Sequence, residues 1–373
     1  MKTITAVIEI QTQSPLHISA IESGRYIPEQ NKIVRGMTSQ SSIPCALTRT
    51  LNVRRASPIE TEDGRVIEFT RVPVIPANTL GGKLRTAACE LVEESLVLRG
   101  LKLTPRTFNT LRKGTATTEL RRSEQTILMA KYGASHPIIG IFGGTSYGID
   151  ANLVVNEGWP VLEDTLSLLT VAPMAAEPVR EGPYVDAIPI IRKDALIDLT
   201  RPDHVGAIVG VDEVNAYHEA EMGRNLAKKA KKEAGETGKK ESLRSIAAVE
   251  AVRPGLAYQF AFTLRARNDR QIGLLLLALK RLVDSGQIGG KAARGFGRFA
   301  VIASRATIRQ SDEAAIESPI FGLRTEGNGY DWNLNDDLTG AVAAAESWIE
   351  TVDPRELEML ASDDAPAQIK AAG

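Results

Sequence analysis

Residues 289–299, Gly-Gly-Lys-Ala-Ala-Arg-Gly-Phe-Gly-Arg-Phe, gather four glycines, three cations and two aromatics between an amphipathic helix pattern and a strand pattern. Glycine lets a backbone come close to a ligand and adopt positive φ. Cations at short spacing face a polyanion, and neighbouring aromatics can stack on bases. The chemistry implied is contact with something long and negatively charged, passing over the end of a sheet. The plain alternative is a flexible turn with incidental charges.

Two nucleotide-binding readings fail on context. A Walker A loop needs Ser or Thr after Gly-Lys, following a strand, but Ala292 follows Gly290-Lys291, and the element before is helical. A dinucleotide fingerprint needs a third glycine opening a helix. After Gly295 and Gly297 comes Arg298-Phe299 and then Ala300-Val301-Ile302-Ala303, a strand.

The charge distribution agrees with a polyanion. The net charge is −1, yet residues 310–373 hold three basic residues against fourteen acidic ones, a net of −11, so the first 309 residues carry +10. Residues 265–309 hold ten Lys/Arg against Asp269 and Asp284. A basic body with an acidic tail makes polyanion binding the main candidate. No apolar run nears 18 residues, so no membrane span is expected. Cys45 and Cys89 are too few for a metal cluster or a disulfide framework. The cytoplasm is the expected compartment, with no metal and no cofactor.

These residues need elements to hold them. Residues 3–12 alternate as a strand with Ile4, Ala6, Ile8 and Ile10 on one face. Residues 14–63, rich in Ser, Arg and Pro, read as loop, and 65–75 as extended. Asn78 is placed to cap a helix running to about Arg99, with Leu80, Leu84, Ala87 and Leu91 at core spacing. The 102–136 segment is basic and weakly patterned, and Gly140–Gly144 marks a tight connection. Residues 183–200 suggest a β-hairpin: Val185 to Ile191, a turn near Arg192-Lys193-Asp194, then Ala195 to Leu199. Residues 212–248 read as a polar helix and a Lys-rich segment; eight cations oppose three acids over 224–244. Tyr258, Phe260, Phe262 and Leu264 alternate as a half-buried strand. Ile272, Leu275, Leu276, Leu279, Leu282 and Val283 fit an amphipathic helix, and a last strand runs to about Ile308. An Ala-rich acidic helix is expected near 339–351. The class is α+β, an RNA-recognition-motif-like (ferredoxin-like) palm over 1–309. Its inserts are the basic 102–136, a hairpin at 178–200 and a Lys-rich helical region at 201–248, and 310–373 form an acidic extension packing on the palm.

Three segments in order carry a resemblance: Ser14-Pro15-Leu16-His17-Ile18 after the first strand, Ile75-Pro76-Ala77-Asn78-Thr79-Leu80-Gly81-Gly82-Lys83-Leu84-Arg85 opening the first helix, and Gly289–Phe299. Val249–Gly255 leading into the aromatic strand adds to them. The chain resembles the repeat-associated (RAMP) superfamily of CRISPR proteins, and within it the backbone subunits of class 1 effector complexes. The resemblance implies subunits stacked head to tail along a CRISPR RNA, gripping its backbone without reading its letters and working with other effector subunits. The guide would pair with a target nucleic acid, expected to be DNA. It makes Lys291, Arg294 and Arg298 phosphate contacts, with Gly295 and Gly297 allowing close approach and Phe296 beside them. Asn78, Lys83 and Arg85 would face phosphate from the first helix. Arg192 and Lys193 would sit at the tip of a hairpin thumb, with Arg180 just before it; an ordinary structural hairpin is the alternative. His17, Arg25 and Arg35 complete the RNA-facing set. Ala77 and Gly81 stand where the family pattern has a glycine and a lysine.

Similar subunits of type III complexes cut RNA with an aspartate in the loop after the first strand. Residues 11–62 contain none, and the early loop has only Glu22 and Glu29 as carboxylates. No catalysis is therefore expected, and the type IV backbone subunit is the better fit. The alternative is a RAMP endoribonuclease that processes CRISPR RNA with His17 as general acid or base.

Overall fold

The computed structural model describes residues 2–35, 43–61, 63–64, 66–114, 136–144, 150–180, 182, 184–193, 244–310, 314–323 and 329–358. In chain order the strands are β1 (Lys2–Thr12), β2 (Ser19–Ile27), β3 (Lys32–Arg35), β4 (Ile43–Thr48), β5 (Thr50–Glu60) and β6 (Val66–Pro73). Helices α1 (Ala77–Leu98), α2 (Pro105–Lys113) and α3 (Pro137–Phe142) follow, then β7 (Leu153–Val155), β8 (Trp159–Pro160), β9 (Val185–Lys193), β10 (Arg244–Val252) and β11 (Ala257–Ala266). The chain continues with α4 (Asp269–Ser285), β12 (Phe299–Gln310), β13 (Ile316–Pro319), β14 (Phe321–Leu323), β15 (Tyr330–Trp332), α5 (Asp336–Thr351) and α6 (Pro354–Glu358).

Two compact units form. The first holds residues 1–19, 48–186 and 251–373; the second holds 20–47 and 187–250. The first is built on an antiparallel sheet in the order β13-β12-β1-β11-β7. First strand at the centre, third and last strands beside it, second outside: this is the ferredoxin-like order. The α+β class is as expected. The alternation of β1 puts Ile4, Ala6, Ile8 and Ile10 against the helices, each fully buried. Their cross-strand partners on β11 are Leu264, Phe262, Phe260 and Tyr258. Burying each of these isoleucine, leucine and phenylalanine side chains stabilises by about 1.5–3 kcal/mol. Helix α4 starts at Asn268, whose side chain accepts from Gln271 N, and stops at Gly286 in the left-handed region. Its apolar stripe meets α1 on one side and α5 on another. At Gly273 the backbones of α4 and α5 come so close that a Cβ would overlap the Ala341 carbonyl oxygen.

The second unit is a sheet in the order β3-β2-β4-β10-β9 around Tyr26, Cys45, Leu47 and Ala248. It corrects the reading of 14–63 as loop, since most of that stretch is strand. The pairing of β4 with β10, Cys45 beside Ala248, is parallel and joins segments far apart in the chain, and nothing in a local window signals it. Residues 244–248, assigned to a helical insert, are the start of β10. The expected turn at Arg192-Lys193 is also corrected: both residues continue β9, which lies beside β10 at the edge of this sheet. The expected second hairpin strand at 195–199, residues 115–135, most of the Lys-rich insert and the tail beyond 358 lie outside the described residues.

Candidate nucleic-acid interface

The glycine loop is stapled to the segment after β1 by backbone hydrogen bonds. Gly290 N donates to His17 O (2.8 Å) and Gly297 N to Pro15 O (2.8 Å). Arg298 N donates to Ser14 Oγ (2.8 Å), and Gln13 N donates back to Arg298 O (2.8 Å). From within, Gln287 Nε2 donates to both Ala292 O and Phe296 O (3.1 Å each). Two glycines make this fit possible. Gly289 (φ 86°) has no room for a Cβ, which would lie 2.6 Å from His17 O, and Gly297 (φ 78°) would place one on Ile288 O. The loop is a rigid shelf rather than a loose turn.

On that shelf the side chains of Lys291, Arg294 and Arg298 are exposed, and none has an ion pair among the described residues. Lys291 is held at φ 64°. A non-glycine residue in the left-handed region is uncommon, and such strain concentrates at working sites. Gly295 is exposed with open space where a Cβ would go. Three exposed cations without an ion pair among the described residues, on a short, fixed backbone, make a surface chemically suited to phosphate.

The aromatics of the loop do something else. Phe296 and Phe299 are 8% and 5% exposed, so Phe296 anchors the loop and cannot stack on a base, contrary to expectation. Nor does the sheet offer a platform. Tyr258, Phe260 and Phe262 point into the core, and on the opposite face Glu9 is buried beneath the 171–176 segment. Its carboxylate accepts from Met174 N (2.8 Å), Ala175 N (3.1 Å) and Ala176 N (2.5 Å), while Gln259 Oε1 accepts from Val171 N (3.2 Å).

His17 is fully buried and hydrogen-bonds Thr48 Oγ1 through Nδ1 (3.2 Å) and Ser19 Oγ through Nε2 (3.3 Å). It locks the segment that carries the loop, and this corrects its assignment as an RNA contact. Asn78 does not cap α1. It is the second helical residue and exposed, while Ala77 N at the helix start donates to Glu157 Oε2 (2.8 Å). With a carboxylate already on the positive end of the helix, phosphate is not wanted there. Arg85 is likewise taken: its guanidinium donates to Leu111 O (2.5 Å), Thr110 O (3.3 Å) and Gly143 O (3.1 Å), closing the C-terminal ends of α2 and α3. Burial pulls its pKa below the ordinary arginine value. Lys83, on the same helix, is exposed.

In the second unit Arg35 is held by Glu250 (2.6 Å) and Glu22 (3.6 Å), so it is a structural ion pair rather than a free cation. Arg25 is half-buried on β2. Arg180 is 86% exposed and pairs with Glu163 (2.9 Å), a contact weak enough to be exchanged for phosphate. Of the expected set, then, the structure gathers only Lys291, Arg294, Gly295 and Arg298 into one surface. Thr48 and Gln287, which help to position it, carry no sequence signal of their own.

A family model matches residues 9–300, and its family is the RAMP superfamily. The chain belongs to that superfamily. A chain from a solved structure titled "Type IV-B CRISPR Complex" is similar over 88% of this chain and 96% of its own, at 15% identity and a TM-score of 0.38. No curated protein matches. Two of the three segments that carried the resemblance, the glycine loop and the segment after β1, are hydrogen-bonded to each other.

Proposed function

We propose that this RAMP protein is a non-catalytic backbone subunit of a CRISPR ribonucleoprotein, of the type IV kind, that holds the spacer part of CRISPR RNA by its phosphates. The observation that carries the reading is the shelf of Lys291, Arg294 and Arg298, exposed, unpaired among the described residues and fixed by backbone hydrogen bonds. Contacts of this kind position a strand without reading it, as a subunit that must accept any guide requires. The partners that go with the reading are CRISPR RNA, further copies stacked head to tail through a non-closing interface, other effector subunits, and a target, expected to be DNA, paired to the guide. Absence of catalysis is supported by the aspartate-free stretch 11–62 and by the burial of His17, the base on which the processing-enzyme reading relied.

The test is binding of single-stranded RNA against salt concentration. Neutralising about four phosphates gives a log–log slope near −3. Replacing Lys291, Arg294 and Arg298 together with alanine should weaken all RNA sequences alike and flatten that slope. A salt-independent affinity, or loss confined to some sequences, would overturn the reading.

A further inference from the structure

The β5–β6 hairpin is a two-stranded sheet of its own, and its two faces differ in chemistry. The register pairs Asn52 with Arg71, Arg54 with Phe69 and Ile59 with Ile67, and residues paired across a ladder share a face. That face is exposed throughout: Phe69 is 58%, Ile67 42% and Ile59 36% accessible, with Asn52, Arg54 and Arg71 beside them. It carries two arginines and no carboxylate. The other face buries Val53 and Val72 at the root, and toward the tip it carries Glu60 and Glu68. Arg54 and Arg71 have no ion pair or hydrogen bond among the described residues. An aromatic ring flanked by two free guanidinium planes and β-branched side chains is suited to unpaired bases, which stack on aromatics and on arginine.

The position of the hairpin agrees. Gly290 N bonds to His17 O; the next residue, Ile18, accepts from Arg49 N (2.7 Å), and Arg49 O accepts from Val74 N (3.1 Å). Arg49 and Val74 flank the two roots of the hairpin, at Thr50 and Pro73. The backbone that carries the shelf is thus hydrogen-bonded through to the foot of the hairpin, where a strand held on the shelf would pass. The aromatics of the glycine loop and of β11 are buried, and among the described residues the aromatic rings left exposed are Phe69 and Phe108. Arg112 already covers Phe108, at 5.0 Å from its centroid.

We infer that the Asn52–Arg54–Ile59–Ile67–Phe69–Arg71 face is a second contact surface, which stacks unpaired bases of the single-stranded RNA whose phosphates the shelf holds. The inference rests on the RNA-binding reading above and adds to it a base-contacting site, sequence-tolerant because every base has a π-face.

The experiment titrates the purified full chain with a fluorescein-labelled mixed-sequence single-stranded RNA, and with an abasic sugar–phosphate strand of equal length, at several salt concentrations. Phe69→Ala should weaken RNA binding by roughly tenfold with an unchanged salt slope, and should leave abasic-strand binding unaltered. Phe69→Trp should retain wild-type affinity. Arg54→Ala/Arg71→Ala should weaken RNA more than the abasic strand. RNA affinity of Phe69→Ala equal to wild type would overturn the inference while leaving the shelf intact. So would a change in self-association by sedimentation velocity with RNA affinity untouched, which would make the face a protein interface. Wild-type protein that binds neither strand would bring down the RNA-binding reading first, and this inference with it.

Discussion

His136 shows how one buried side chain makes a fold sensitive to pH. It caps α3, its Nδ1 accepting from Ile138 N (3.2 Å) and Ile139 N (3.1 Å), a role that requires the neutral ring. Burial, reinforced by the Arg85 charge, lowers its pKa from 6.5 to about 3. The folded state thus binds the proton less readily than the unfolded chain. The cap's contribution is complete above about pH 6.5 and is lost as pH falls from there toward 3. The melting temperature should drop between pH 7 and 5, and His136→Asn, which caps without titrating, should flatten that dependence. An unchanged slope in the variant would show that the histidine is not its source. At the same scale, Arg85 and Arg35 show why residue type alone misassigns cations. One caps helix ends and the other neutralises Glu250, and the residue type by itself does not separate them from the free cations of the glycine loop.

At the scale of elements, the patterns that could be read were those carried by the residue periodicity of a single element. The core face of β1, the stripe of α4 and the strand after the glycine loop all follow from periodicity over a few turns or pleats. The β4–β10 pair did not, because its pairing energy comes from a segment about 200 residues away. The close crossing of α4 and α5 belongs to this scale. Gly273 reads in sequence as a weak spot in a helix, yet it is what lets the two backbones meet. Gly273→Ala should therefore destabilise the protein by about 1–3 kcal/mol through overpacking, despite alanine's better helix propensity. A denaturation midpoint equal to or above wild type would contradict that packing.

Across the whole molecule, charge and chemistry separate. In the proposed reading the basic body of residues 1–309 supplies attraction at a distance, the shelf is where phosphate would dock, and residues 11–62 hold no aspartate to cut RNA. A complex assembled from this protein and CRISPR RNA should leave complementary RNA intact in the presence of magnesium or manganese. Regularly spaced, metal-dependent cuts seen on a denaturing gel would require a catalytic group elsewhere in the chain.

By itself the sequence determined the α+β class, the central strands and helices, the charge asymmetry and the loop on which the basic shelf is built, because each is written in neighbouring residues. Only the tertiary structure decided which cations remain free. It buried Phe296 and His17, spent Arg85 on helix ends and Arg35 on Glu250, and left Phe69 in solvent. The reason is physical: periodicity is a property of one segment, whereas solvent exposure and ion pairing depend on what distant segments bring to the same place.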